Sequence, residues 1–522
     1  MKTLRKYHKW PSLIIGAFLI LFSVSGIIMN HRPFFSPVNV TRSLLPPVYR
    51  YNNWNLAAVK GNIRLENNSQ LIYGNIGIWA CDSVFSRFTD LNQGFGKGID
   101  QRKVFTMLQT SDHQLLAGTL SGLWKFERKQ NLWVNLRLPE RNPRVVKLAE
   151  YNGQVYIMTR DHIYTMASVG NPVFSLFPLS VAEGADGKTG LFNTLWVLHS
   201  GEMIGLAGKL LVDLVGFVLI FISLSGFFYT FLPKFAKRTS QGLRQKLQRA
   251  NRISIKWHNL TGGYGIVILI ITVVSGMFLR PPLLIPIAGT RVAPVPGTIL
   301  DNKNPWHDKL RDFVIDSANN RLIISTSEGF YESGLGNDRR CRPFRVQPPV
   351  SVMGITVFEH LDRNTLLVGS FSGLYRWNPE LGEITDVITG SNTISESDGN
   401  PFGATAVSGI ISGSNGPQSF LDYDGGWVPL IPGIQVPEMP VEIRKSPMSL
   451  WNVALEVHTG RIFSVILGDF YILYVPMMGI ITLVILITGF LLWYKQLKRK
   501  KKKIKTQNHE NHQIEPGTKS TV

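Results

Sequence analysis

Lys6-Tyr7-His8 opens an apolar stretch that closes on Val24-Ser25-Gly26, and Lys256-Trp257-His258 opens another that closes on Val274-Ser275-Gly276. In both, histidine precedes glycine by 18 residues and basic residues come just before. A second matched pair is Leu198-His199-Ser200-Gly201 and Val457-His458-Thr459-Gly460, each leading into a later apolar run. This reads as a membrane protein built twice over, with one histidine expected at the head of each of four helices. Ionisable residues at membrane helices are costly and default to a functional reading.

Apolar runs at 11–29, 210–232, 261–279 and 470–494 are each long enough to cross ~30 Å of hydrocarbon. The mean hydropathy of the 522-residue chain is only +0.06, so two long segments remain to fold outside the bilayer. The net charge of +20 does not point to nucleic acid, because the basic residues are grouped at span ends. Lys2, Arg5, Lys6 and Lys9 precede the first run, residues 234–256 hold eight Lys/Arg and no acid, and 495–505 hold eight more. Alternating spans put these three groups on one side, which the positive-inside rule makes the cytoplasm. Their remaining role is contact with anionic lipid.

The expected order is a cytoplasmic N-terminus at 1–10, a first transmembrane helix at 11–29, and outer β repeats at 30–198. A second helix with an outer extension follows at 199–232, then a basic cytoplasmic loop at 233–257 and a third helix at 258–280. The second outer half is 281–457, the fourth helix with its extension 458–494, and 495–522 a basic, disordered cytoplasmic tail. The first run is long for a signal-peptide core, and no small-x-small pattern follows Gly26-Ile27-Ile28-Met29, so it is expected to remain as a span. The localisation implied is a bacterial inner membrane, multi-pass, with a large periplasmic part.

The outer segments repeat too. Leu115-Leu116-Ala117-Gly118-Thr119-Leu120-Ser121-Gly122-Leu123-Trp124 returns 251 residues later as Leu366-Leu367-Val368-Gly369-Ser370-Phe371-Ser372-Gly373-Leu374-Tyr375. Each copy is a strand, a glycine turn and a strand with an aromatic residue. Related patterns run from Gln70 to Trp79, from Arg321 to Tyr331 and from Asn152 to Tyr164, and 404–427 is a worn copy. Short-strand repeats at ~40–45 residues are a propeller signature, and the Gly-Leu-Trp ending resembles the repeats of regulator-type β-propellers. Three blades per segment are marginal alone. The fold expected is therefore a membrane four-helix bundle of duplicated two-helix units, plus an extracytoplasmic all-β domain forming one composite β-propeller of about six blades; two separate β-domains are the alternative. Cys81 and Cys341 lie one in each outer segment, and both a disulfide and two free buried thiols remain open.

Duplication in one orientation implies a pseudo-two-fold axis along the membrane normal. His8 then pairs with His258 at one depth and His199 with His458 at the other. Two imidazoles per level, without cysteine, suit two haem b groups better than zinc, which takes three or four protein ligands. His31 is a spare candidate, but its duplicate position holds Pro281. Ser25-Gly26 and Ser275-Gly276 give room for a macrocycle or for helix packing. Lys209 and Asp213 are placed for an i,i+4 pair, or Lys209 for a haem propionate, with Asp469 comparable to Asp213 in the second half.

These features, Lys-x-His before an apolar helix ending in Ser-Gly, then Leu-His-x-Gly before another helix, resemble the PepSY-associated transmembrane family. The resemblance covers the four helices. It implies iron-regulated membrane proteins, some of them ferric-siderophore reductases with haem held by helix histidines, and it makes His8, His199, His258 and His458 the ligand candidates. The outer repeats depart from that pattern, so the substrate is not carried over. No glycine-rich dinucleotide fingerprint follows a strand. Electrons are thus expected from the quinol pool or a separate redox partner, and a ferric chelate is one candidate acceptor. The competing reading is a non-enzymatic receptor or scaffold whose propeller binds a partner.

Overall fold

The computed structural model describes residues 2–65, 69–336, 338–351, 354–392 and 405–513. They form two units. One holds 1–32, 188–301 and 453–522, the other 33–187 and 302–452. The short stretches 30–32, 188–198, 281–301 and 453–457 thus belong with the helices rather than with the β repeats.

The helical unit contains α1 (Lys2–Asn30), α2 (Leu191–Ser200), α3 (Gly205–Ala236), α4 (Gln241–Tyr264), α5 (Ile266–Phe278), α6 (Leu450–His458) from Val453 onward, and α7 (Tyr474–Gln513). α1, α3 and α7 are long and apolar enough to cross a membrane. The third apolar run, expected as one helix over 258–280, is broken: α4 and α5 meet at a bend of 67°. Thr261-Gly262-Gly263-Tyr264-Gly265 supplies the reason, since three glycines in five residues weaken helix propagation. α5 has 13 residues, roughly 20 Å at helical rise, short of the ~30 Å of a hydrocarbon core. Close approach fixes the neighbours. A Cβ on Gly263 would lie 2.4 Å from the Trp493 ring of α7, and one on Gly16 of α1 would lie 2.8 Å from Phe227 of α3.

α7 continues unbroken through the polybasic 495–505 to Gln513. Disorder was expected from 495, but lysine and arginine are good helix formers and no Gly or Pro interrupts before Pro516. The remainder of that expected tail, to Val522, lies outside the described residues.

Among the described residues, the second unit is built of six small antiparallel sheets of three or four strands, with Asn39–Val40 and Met448–Ser449 pairing as a further two-stranded one. The strands of the six run in chain order over 61–90, 104–136, 145–177, 310–343, 355–386 and 407–429, four to a sheet except three in the last. Ala404, where the worn sixth copy was expected to start, lies outside the described residues. Each first strand neighbours the next sheet's first strand, and that of the sixth sheet, Val407–Gly413, lies beside that of the first, Gly61–Arg64. Second strands such as Leu115–Thr119 and Leu366–Ser370 are buried along their whole length, as expected for strands covered on both faces.

One apolar cluster fills each gap between successive sheets. Leu71 and Ile78 meet Met107 and Ala117, and Tyr156 and Met158 meet Phe313 and Ile324. Between the sixth and first sheets, Ile411, Leu421 and Trp427 meet Ile72 and Trp79. Hydrogen bonds close the same seam: Ile410 N–H donates to Lys60 O at 3.1 Å, and the Asn62 side-chain amide exchanges two bonds of 2.9 Å with the Ser412 backbone. In the hairpin turns, Gly122 (φ +124°) and Gly373 (φ +133°) take backbone angles other residues avoid. The aromatic that follows closes its own turn: Trp124 Nε1 donates to Thr119 Oγ1 at 3.1 Å, and Tyr375 Oη to Ser372 O at 2.7 Å. Cys81 and Cys341 are free buried thiols in different clusters.

Because two of the six clusters join residues 33–187 to 302–452, neither segment is expected to fold alone. Expressed without the helices, each should be aggregated or molten, and co-expression should give one β-rich particle. A monomeric 33–187 fragment that melts cooperatively would count against this.

Candidate functional site

All four candidate histidines lie in the helical unit and come together in the two expected pairs. The ring centroids of His8 and His258 are 6.1 Å apart, with the planes at 86°. Those of His199 and His458 are 6.0 Å apart, at 50°. His8 lies near the start of α1 and His258 on α4. His199 and His458 do not head spanning helices, contrary to expectation. They sit at the ends of the short helices α2 and α6. Gly201 (φ +79°) and Gly460 (φ +76°) follow in left-handed conformation, a common helix terminator, and turn the chain towards α3 and α7.

Each imidazole docks on a Ser-Gly or Thr-Gly pair of another helix. His458 Nδ1 contacts Phe22 O at 3.0 Å and Ser25 Oγ at 3.1 Å on α1. His199 Nδ1 contacts Thr272 O at 2.9 Å and Ser275 Oγ at 3.4 Å on α5. His258 Nδ1 meets Ser225 Oγ at 2.8 Å on α3. His8 Nδ1 meets Ile485 O at 3.0 Å on α7, three residues before Thr488-Gly489. A carbonyl only accepts, so Nδ1 of His8, His199 and His458 carries the proton. Ser225 Oγ donates its own proton to Ile222 O at 3.0 Å, so it accepts from His258, and the same tautomer follows. Each Nε2 is then a bare lone pair, and among the described residues none takes a hydrogen bond.

The glycine beside each hydroxyl makes the docking possible in three cases. A Cβ would lie 2.6 Å from His199 at Gly276, 2.8 Å from His8 at Gly489 and 3.2 Å from His458 at Gly26, whereas Gly226 faces open space. Sequence reading singled out Ser25-Gly26 and Ser275-Gly276 but missed Ser225-Gly226 and Thr488-Gly489. The signal was present: Leu224-Ser225-Gly226-Phe227 and Ile487-Thr488-Gly489-Phe490 are copies of one pattern.

His31 joins neither pair. Its Nε2 lies 2.6 Å from Asp213 Oδ2, and Asn30 Nδ2 donates to Asp213 Oδ1 at 3.0 Å. The suggested Lys209–Asp213 pair does not form, because Lys209 reaches Glu202 at 2.6 Å instead. Among the described residues no three His, Cys, Asp or Glu side chains gather as ligands for a bare metal ion.

Fold and site together define an integral membrane protein with paired imidazoles in its helical unit and a second unit of small antiparallel sheets. The chain belongs to the family of the PepSY-associated TM region, whose model matches residues 5–309. Among solved structures, an extracellular domain ascribed to a hybrid two component system of B. thetaiotaomicron is similar at 9% identity and TM-score 0.34, covering 72% of this chain and 32% of that one. Another from the same organism gives 11% and 0.33, over 75% and 40%. The computationally designed Ika8 protein gives 9% and 0.29, over 72% and 97%. The chain thus spans less than half the length of the two natural domains, and at these scores the likeness adds nothing to the fold described above. Comparison with curated proteins gives no match.

Proposed function

We propose that the protein is a b-type haem electron carrier of the bacterial inner membrane, with His8 and His258 holding one haem and His199 and His458 a second. The observation that carries this reading is the pair of imidazole pairs, with ring centroids 6.1 and 6.0 Å apart and every Nδ1 tied to another helix. Metal-bound histidines characteristically donate their other N–H to a carbonyl or similar acceptor, which fixes tautomer and ring orientation. Two nitrogen–metal bonds of about 2 Å, with about 1 Å from each nitrogen to its ring centre, give a centroid separation of roughly 6 Å. The residues therefore fit an axial bis-histidine site. Haem so held supplies one-electron ferric/ferrous chemistry. The chain's own contribution is to hold four imidazoles in one tautomer and to seat the pairs roughly 26 Å apart along α1, the rise of the 17 residues from His8 to Ser25.

The finer architecture belongs to the same proposal. We read α1, α3, α4 with α5, and α7 as four spans of one bundle, N-in and C-in. The six sheets are read as the blades of one β-propeller on the periplasmic side, an arrangement supported by the neighbouring first strands and the six inter-sheet clusters. Electrons come from the quinol pool or a separate redox protein, and the acceptor is external, with a ferric chelate as the candidate.

The test is a reduced-minus-oxidised spectrum of the purified protein, with haem and iron quantified per chain. A Soret band, paired visible bands and two haems per chain are expected. A colourless protein would sink the redox reading and leave a membrane-anchored receptor or scaffold. Topology is tested separately. Reporter fusions at Gly242 and after Lys505 should read cytoplasmic, and those at Asn131 and Asn392 external, from the placement of the basic clusters. An external signal at Gly242 would remove the four-span arrangement.

A further inference from the structure

Basic side chains from three sheets converge where the first strands begin. Lys60 and Phe105 hold matching places in the first and second sheets, each just before the residue that pairs across the first hairpin, Gly61 with Tyr73 and Thr106 with Gly118. Arg144 immediately precedes the first strand of the third sheet. The Lys60 ammonium and the Arg144 guanidinium each lie 4.5 Å from the centre of the one Phe105 ring. Lys103, nearby, is held by Asp100 at 2.9 Å. Among the described residues Lys60 forms no ion pair with a carboxylate. Farther along the first strands, Asp312 is bound by Lys147 at 2.9 Å and Glu359 accepts from Ser412 at 3.2 Å.

We propose that Lys60, Arg144 and Phe105 form a binding site for a small anion bearing carboxylate or phosphate oxygens. Lys60 is half-buried; holding its ammonium partly out of water beside other cations is costly, and the group either gives up its proton or takes an opposite charge. A cation–π contact supplies only a small part. Burial first, then the charges of Arg144 and Lys103, push the Lys60 amine down to about 7. A bound anion favours the charged form, so binding takes up a proton near and above neutral pH. Affinity is then present below that value and falls as pH rises through it, approaching about tenfold per unit for one linked proton.

The experiment is calorimetric titration of the full-length protein in detergent with citrate and, separately, with inorganic phosphate. Two buffers of different ionisation enthalpy report the proton. Binding of citrate alone assigns a carboxylate ligand, and binding of phosphate alone assigns a phosphate ligand; either supports the site. Proton uptake is expected, with at least a tenfold loss in Lys60→Met and none in Lys129→Met, an exposed lysine elsewhere. Should Lys60→Met fail to fold, the wild-type affinity for citrate between about pH 7.5 and pH 9, where citrate is fully ionised, decides the matter, because one linked proton on the protein demands a falling slope. The proposal is overturned by no heat with either anion at millimolar concentration, by a flat pH profile, or by equal losses in the two lysine variants. Haem content is measured independently, so the two proposals stand or fall separately.

Discussion

Alanine at His8 or at His258 is expected to remove one and the same haem, and alanine at His199 or His458 the other. In the proposed haem sites, the ring pairs at 6.1 and 6.0 Å would give each iron one imidazole from each partner. Haem per chain should fall from two to one in every single variant. A second substitution within a pair should add little, while one from each pair should leave none. Haem extraction and the difference spectrum measure this, with circular dichroism to establish that the variants fold. Full haem content in all four single variants would make the histidines interfacial residues and end the electron-transfer reading. His31→Ala should keep both haems, since its ring is committed to Asp213.

The second large effect is expected at the glycines on which the imidazoles rest. Gly276→Val and Gly489→Val place new carbon where the rings of His199 and His8 lie, with Cβ contacts of 2.6 and 2.8 Å. Overpacking of this kind costs about 1–3 kcal/mol. Here the imidazole yields more readily than the helix backbone, so each variant should lose the haem of its own pair. Gly226→Ala is the control, because a Cβ there meets nothing within 4 Å. Ser225→Ala removes the acceptor that orients His258, and loss of the hydrogen bond behind a ligating imidazole weakens metal sites about 10- to 100-fold. Retention of both haems in Gly276→Val and Gly489→Val would mean that the docking seen here is not how the ligands are held.

Much of the helical unit was legible because its signals are local. The 18-residue spacing from histidine to glycine repeats between His8–Gly26 and His258–Gly276, and apolar runs of span length stand between basic clusters. The pairing of His8 with His258 and of His199 with His458 was reached from the duplication alone. What each Nδ1 touches was not legible. The acceptor for His8 is Ile485 O, 477 residues away, and nothing in either segment names the other. Likewise Lys209 has Asp213 one turn along its own helix but takes Glu202. A sequence spacing says which groups are able to meet, and competition among nearby partners decides which do.

The amino-acid sequence by itself determined a membrane protein of duplicated design, its apolar helices, its short-strand repeats and the four histidines, because composition and periodicity act within a few residues. Tertiary structure alone decided that the short helices ending in His199 and His458 deliver these rings to α5 and α1, and that the sixth sheet packs against the first. It also decided that Ser225-Gly226 and Thr488-Gly489 receive imidazoles from distant segments. Each of these depends on which surfaces are buried together, and burial is settled only when the whole chain has closed on itself.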